Sequence, residues 1–455
     1  MCRNSTEKGR MDRMQSVVII GAGLAGCEAA WTLARKGVPV TLYEMKPAQY
    51  TPAHKYPGYG ELVCSNSLKA MRLGSAAGML KEEMRILGSL TMEAAAETAV
   101  SAGGALAVDR ERFSDYITQK IQSHPLIQVV HERVDTIPEE GLVLVASGPL
   151  TEDHLAQDIQ RRCGEGYLSF FDAAAPIVSF ESLDQEKVFF AARYGRGEDD
   201  YINCPMNKEE YEAFYDALIH AEAVELKEFE KRDFKVYEGC MPVEVMARRG
   251  ADTLRYGPLK PVGLTDPRTG HRPWAVVQLR SENREGTLYN LVGFQTNLKF
   301  PEQKRVFSMI PGLENAEFMR YGVMHRNTFL NSPQLLSQEL CLRSDPRVYF
   351  AGQMTGVEGY IESAACGILA AHNLARKIAG QPPLLLPRDT MLGALIAYIS
   401  DPEVKDFQPM GCNMGILPPL GERIRDKSLR YETIAKRGIA SLRSYLDAVG
   451  EPTCC

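Results

Sequence analysis

Residues 16–44 constrain this chain more than any other stretch. The apolar run SVVII (16–20) leads directly into Gly21-Ala22-Gly23-Leu24-Ala25-Gly26, and PVTLYE (39–44) closes the segment. A short apolar run bounded by glycine reads as a buried strand, and GLAGCEAAWTLARKG carries helical apolar spacing up to a stop at Gly37. Strand, tight turn, helix and strand make one βαβ unit of a parallel sheet. Gly21 permits the turn out of the strand, Gly23 lets a pyrophosphate approach the backbone, and Gly26 lets the helix pack on the sheet. The turn Ala22, Leu24, Ala25 opens the helix, whose free N–H groups and positive dipole end suit phosphate. Glu44 ends the second strand, 18 residues after Gly26, placed to accept hydrogen bonds from a ribose. A glycine pattern alone also occurs in structural turns. With a strand before it, a helix after it and an acid at the end of the next strand, it reads as a dinucleotide site.

Two later segments point to FAD rather than NAD as the resident dinucleotide. LVLVASGPL (142–150) is an apolar strand running into a turn at Gly148, and it resembles the strand-to-turn motif of two-dinucleotide-fold flavoproteins. VYFAGQMTGVEGYIESAACG (348–367) resembles their late motif, in which a strand ends on glycine and a helix start faces the flavin. That resemblance adds Gly352, Gln353, Gly356, Gly359 and Tyr360 to the FAD-binding candidates, with Gln353 standing where many such proteins carry Asp. A helix N-terminus there favours anionic reduced flavin.

At 455 residues there is room for two to three domains. Residues 1–14 (MCRNSTEKGRMDRM) are polar, lack the apolar core of a signal peptide, and are expected to be an N-terminal extension. The texture changes at about 176–320, where short strands (KVFFAARY, AVVQL, LYNLVGF), the helical run NKEEYEAFYDALIHAEAVELKEFE and a basic loop replace the βαβ pattern. The expected architecture is therefore α/β: a discontinuous Rossmann-type FAD-binding domain (15–175 and 321–445) with an inserted α+β domain (176–320) for substrate and RNA. No run reaches the ~18 apolar residues of a membrane span, and the chain is expected to be cytoplasmic. None of the eleven cysteines has CxxC spacing, so no metal site is expected.

Two cysteines stand in chemically suggestive settings. Cys64, in ELVCSNSLKA, lies just before an expected helix capped by Ser65 or Asn66, and a thiol at a helix N-terminus carries more thiolate at neutral pH. Cys240, in YEGCMPVE, sits at a turn marked by Gly239 and Pro242. Either residue taken alone reads more readily as a small packed side chain, since free Cys is among the most buried residue types. With a formal net charge of −6, any nucleic acid must be held by a local basic patch. Residues 248–280 supply one, with seven Lys/Arg against two acids. Arg248, Arg249, Arg255, Lys260 and Arg272 can neutralise phosphates, and Tyr256 and Trp274 can stack on unpaired bases. A solvated charged loop is the alternative reading.

Taken together, GELVCSNSLKA, FFDAAAPIVSFESLD, YINCPMNKEEY, EGCMPVEVMA, GPLKPVGL and YFAGQMTGVEGYIESAACG resemble the folate- and FAD-dependent tRNA (uracil-5-)-methyltransferases, the TrmFO family, over about residues 16–440. The resemblance implies methylene transfer from methylenetetrahydrofolate to the T-loop uridine of tRNA. Reduced FAD would supply electrons, with NADPH or NADH regenerating it. It also implies a use for two thiols, since uracil C5 becomes a carbon nucleophile only after a thiolate adds to C6 and a base must then remove the C5 proton. Cys64 is the expected nucleophile and Cys240 the expected base or second thiol, with the reverse order left open. His325, in RYGVMHRNTF, matches a position expected against the folate pterin ring. Three further readings stand beside this one: a homologue acting on ribosomal RNA, the wobble-uridine carboxymethylaminomethyl flavoprotein, and a non-catalytic FAD- and RNA-binding protein.

Overall fold

The apolar runs that read as buried strands assemble into one parallel sheet. Across it run Val348–Phe350, Leu142–Val145, Val17–Ile20, Val40–Tyr43 and Ile127–Val130, each parallel to its neighbour. Val17 pairs with Val40 on one side and Leu142 on the other. Leu142–Val145 is buried at all four positions, as a strand covered on both faces requires. The computed structural model describes residues 16–51, 53–164, 167–173, 175–195, 200–224, 241–283, 285–322, 324–404, 407–421 and 424–453, with backbone alone for 167–173 and 324–328.

The helices Leu24–Arg35 and Tyr360–Ile378 pack on each other in the main core. Their approach depends on Gly367, because a Cβ there would lie 2.2 Å from the Ala25 carbonyl oxygen. From the central strand Val17–Ile20, one neighbour follows through the glycine turn and the other returns much later in the chain. Ligands of open parallel sheets bind at such a switch point, outside the carboxyl ends of the strands.

Residues 177–320 build a different object, a six-stranded antiparallel sheet. Its order is Phe189–Phe190, Tyr201–Met206, Ala275–Ser281, Leu288–Leu291, Ile177–Ser179 and Phe318–Arg320. A second apolar core lies against it, gathering Phe214 and Leu218 from the helix Lys208–Ile219 and Phe294 and Phe307 from farther along the chain. That helix opens on a capping box in which Asn207 and Glu210 satisfy each other's backbone N–H. It ends at Ile219, shorter than the run 207–230 suggested, and residues 225–230 lie outside the described ones. Tyr167–Ala173 and Met324–Leu330 pair antiparallel as a two-stranded ribbon.

The expected helix after Cys64 is absent. Ser67–Ala70 is instead a strand, paired antiparallel with Ala105–Val108, and the next helix starts at Ala76 behind the N-cap Ser75. The reason lies in the two residues expected to cap it. Asn66 is fully buried and donates to the carbonyls of Val108 (3.1 Å) and Ser281 (2.7 Å), while the Ser65 hydroxyl accepts from the Ser67 N–H. Neither oxygen is turned to a helix N-terminus.

Candidate functional site

A cleft of about 1450 Å³, counted with its open mouth, runs along the carboxyl ends of the parallel strands. Its floor is the glycine turn. Gly21 has φ +101°, and a Cβ there would lie 2.7 Å from the Ala146 carbonyl oxygen, so the turn and the neighbouring strand end touch backbone to backbone. Gly26 is equally closed, since its Cβ would lie 1.9 Å from the Gly21 carbonyl oxygen. Gly23 is the contrast: a Cβ there meets nothing within 4 Å, because it projects into the cleft. A pyrophosphate therefore has room against this backbone, and the helix Leu24–Arg35 begins on Gly23 with no side chain capping its N–H groups. By this observation the residues present fit a dinucleotide.

Of the sequence candidates, Gly21, Ala22, Gly23, Leu24 and Ala25 line the cleft, and Glu44 and Gly148 stand on its walls. Glu44 is also a structural acceptor, its carboxylate receiving the N–H groups of Ala22 and Lys46, both at 2.9 Å. Gly352, Gln353 and Tyr360 line the far end, with the Gln353 amide donating to Glu358 (2.9 Å). Three glycines do not reach the wall. Gly26 packs into the turn, Gly356 faces the Phe407 ring, and Gly359 sits against Glu362 and Lys69. Cys240 lies outside the described residues, and His325 is placed only as backbone of the strand Met324–Leu330.

Cys64 lines the same cleft, half-buried, and its partner is Tyr360, the first residue of the late helix. The phenol oxygen accepts the backbone N–H of Cys64 (2.7 Å) and of Ser65 (3.3 Å), and it lies 3.0 Å from the Cys64 sulfur. Two accepted N–H groups occupy the lone pairs of that oxygen, so its own proton is the one directed at sulfur. Burial, then the nearby thiol, push the Tyr360 phenol well above its ordinary range. It stays protonated and donating.

Three arginines that sequence reading did not single out enclose this loop. Arg110 donates to the carbonyls of Leu62 (2.7 Å) and Val63 (2.9 Å) and forks onto Glu282 (2.5 and 3.2 Å). Arg320 also donates to the Val63 carbonyl. Arg280 reaches Asn66 (3.0 Å) and the Ser65 hydroxyl (2.7 Å). Cys64 and Tyr360 lie within electrostatic reach of both Arg110 and Arg320, the cationic setting that thiolate chemistry uses. Burial opposes the charge of Arg110, but Glu282 together with the nearby Tyr360 and Cys64 more than offsets it. For Arg320, burial and the like charge of Arg110 win, and its pKa is lowered. Arg110 left one trace in the sequence. It is the first residue of the helix Arg110–Ser123, where a cation opposes the dipole and needs a reason to be.

The basic stretch 248–280 divides in the structure. Arg248, Arg249, Lys260 and Arg272 are exposed, and Tyr256 is 83% exposed. Arg255 stacks on Trp274, its guanidinium carbon 3.7 Å from the ring centroid, and pairs with Asp252 (2.6 Å). Arg268 is forked onto Asp266, and Arg280 is buried at the Cys64 loop, so these two of the seven cations are not free for a surface role. Among the described residues no helix is long and apolar enough to cross a membrane, and no group of three or more His, Cys, Asp or Glu could hold a metal ion.

The parallel sheet, its glycine turn and the two glycine-started helices define a dinucleotide-binding fold of the flavoprotein type. The pattern of the family described as glucose inhibited division protein A matches residues 16–382. Among solved structures, Aquifex aeolicus GidA superposes with a TM-score of 0.67 at 18% identity, covering 95% of this chain and 76% of that one, which shows the shared fold. Proteins named methylenetetrahydrofolate--tRNA-(uracil-5-)-methyltransferase TrmFO are far more similar. That of Acetivibrio thermocellus is 58% identical over 428 residues, 94% of this chain and 98% of the relative, and that of Heliobacterium modesticaldum is 59% identical over 431 residues, 95% and 98%. The chain belongs to the TrmFO family of GidA-type proteins.

Proposed function

We propose that this chain is a cytoplasmic enzyme that methylates C5 of the T-loop uridine in tRNA, with methylenetetrahydrofolate as one-carbon donor. The observation that carries the reading is Cys64, a thiol inside the dinucleotide cleft, 3.0 Å from the Tyr360 hydroxyl and within reach of two guanidinium groups. Uracil C5 is a poor carbon nucleophile until sulfur adds to C6. A C–S bond forms at C6 and C5 attacks the one-carbon unit. As a base takes the C5 proton, the carbon–nitrogen bond to the folate breaks and tetrahydrofolate leaves, and the C–S bond breaks when the exocyclic methylene accepts two electrons and a proton to become methyl. The cleft floored by Gly21 and Gly23 would hold FAD, which in its reduced form would supply the electron pair, with NADPH or NADH restoring it. Cys64 and Cys240 provide the two thiol roles, addition and proton removal. Tyr360 holds the Cys64 loop and directs its proton at the sulfur, while Arg110 and Arg320 fix the carbonyls behind it. His325 serves the folate, and Arg248, Arg249, Arg255, Lys260 and Arg272 serve the phosphates, so that residues 176–320 form the substrate side.

The test is a T-arm RNA carrying 5-fluorouridine at the target, incubated with methylenetetrahydrofolate and NADPH. Fluorine does not leave as a proton does, so the C–S adduct accumulates. Peptide mapping is expected to find it on Cys64 or Cys240 and on no other of the eleven cysteines. Labelled methylenetetrahydrofolate is expected to label the unmodified RNA. A yellow, NADPH-oxidising protein that neither labels RNA nor forms the adduct would end this reading.

A further inference from the structure

Three aromatic rings form a parallel ladder that leaves the second core and ends in water. Phe318 and Tyr321 stack at 5.3 Å with 10° between planes, and Tyr321 and Phe300 stack at 5.0 Å with 16°. Deeper in the core the rings pack otherwise: Phe307 meets Phe318 at 39° and Phe294 at 80°, the tilted and edge-to-face arrangements common inside proteins. Parallel stacking thus begins where the series reaches the surface. The last ring, Phe300, is 51% exposed, with Tyr321 against it.

We infer that Phe300 is a stacking platform for an unpaired base of the tRNA, a base other than the target uridine. The inference rests on the function proposed above. Three observations select this occupant. A parallel ladder with an exposed end presents a flat apolar face to a fourth ring, and only bases outside a duplex can offer theirs. The helix that begins with Phe300 also carries Lys304, exposed and without an ion pair among the described residues, and Arg305, exposed beside Glu302, so backbone-neutralising charge lies next to the ring. Finally, Tyr321 directly follows Arg320, whose guanidinium holds the Val63 carbonyl next to Cys64. The ladder and the Cys64 loop are therefore joined through two adjacent residues, Arg320 and Tyr321, as a reader of the flanking loop and a reactor for the target would need.

The experiment uses the full-length flavin-loaded protein with Phe300→Ala, Phe300→Leu and Phe300→Trp, thermal melting confirming that each is folded. Affinity is measured for a tRNA transcript and for a T-arm minihelix with 2-aminopurine in the loop. Ala and Leu are expected to weaken RNA binding about 5- to 100-fold and to abolish the fluorescence quenching, while Trp restores both. Leu keeps apolar surface but cannot stack, which separates stacking from plain burial. NADPH oxidation and the folate KM are expected to stay at wild-type values in all three. Unchanged RNA affinity in Phe300→Ala overturns the inference and leaves the methyltransferase reading standing. So does a raised folate or NADPH KM with RNA affinity intact, which would give the ring to a small molecule. Wild-type protein that binds no tRNA would sink the functional reading first and this inference with it.

Discussion

Two ways of starting a helix coexist in this molecule. The helices Ala76–Ile86, Arg110–Ser123, Asp153–Cys163, Lys208–Ile219 and Lys427–Ala448 begin behind Ser75, Asp109, Glu152, Asn207 and Asp426, and in each the side chain accepts a first-turn N–H. Leu24–Arg35 and Tyr360–Ile378 begin instead on Gly23 and Gly359, with no side-chain cap. Both glycine starts belong to the helices at the cleft. Among the described helices of nine residues or more, the two that start without a side-chain cap are the two at the cleft, and Gly23 leaves its helix start open to a ligand there.

The largest effects test the first glycine start. Gly26→Val drives a side chain into the Gly21 carbonyl and is expected to leave no folded protein, whereas Gly23→Val meets only open space and is expected to fold. The second variant should nonetheless be colourless, having lost flavin affinity by two orders of magnitude or more (on the order of 100-fold, from closing the approach of the pyrophosphate). Circular dichroism and flavin absorbance separate the two outcomes. A yellow Gly23→Val protein would place the phosphates elsewhere and break the comparison.

The second glycine start is tested at Tyr360. Tyr360→Phe strands the N–H groups of Cys64 and Ser65, each costing about 1–3 kcal/mol if buried without a partner. Methyl transfer is expected to fall about 10- to 100-fold, with flavin colour and NADPH oxidation retained. A wild-type turnover rate would show that the phenol does not serve the Cys64 loop.

The smallest effect concerns a helix satisfied from afar. Glu83 accepts the N–H groups of Met391 (2.6 Å) and Leu392 (2.8 Å) at the start of Met391–Ile399, and burial pushes its carboxyl up to about 8. The folded state therefore binds this proton more tightly than the unfolded chain, whose value is 4.5. The associated stability is complete below about 4.5 and is lost as pH rises through about 8. Denaturant titrations at pH 5 and pH 8 should show a smaller difference for Glu83→Gln than for wild type. An equal difference would mean that other groups set the pH dependence.

The parts of the fold legible in the sequence are those where backbone geometry dictates residue type. Gly21, Gly23 and Gly26 are such positions, and so are the apolar strands 16–20 and 142–145 and the helix 360–378. The setting of Cys64 was not legible. Local pattern suggested a helix cap at Ser65 or Asn66, but Asn66 is bonded to residues 42 and 215 positions away. No window of sequence contains that information. The same limit explains Arg280, which looks like one more cation of a basic loop and is in fact buried against Ser65 and Asn66, next to Cys64. Arg110 was half legible, as a charge on the wrong end of a helix.

The fork between Arg110 and Glu282 joins the start of the helix Arg110–Ser123 to the end of the strand Ala275–Ser281 in the antiparallel sheet, 172 positions apart in the chain. Its consequence is for modular exchange. The loop bearing Cys64 is held on one side by Arg110, which Glu282 anchors, and on the other by Arg280 and Arg320 from the antiparallel sheet. The two sides cannot be traded independently between relatives. A segment grafted from a relative must carry Arg280, Glu282 and Arg320 in register, or the loop bearing Cys64 loses the contacts that hold it.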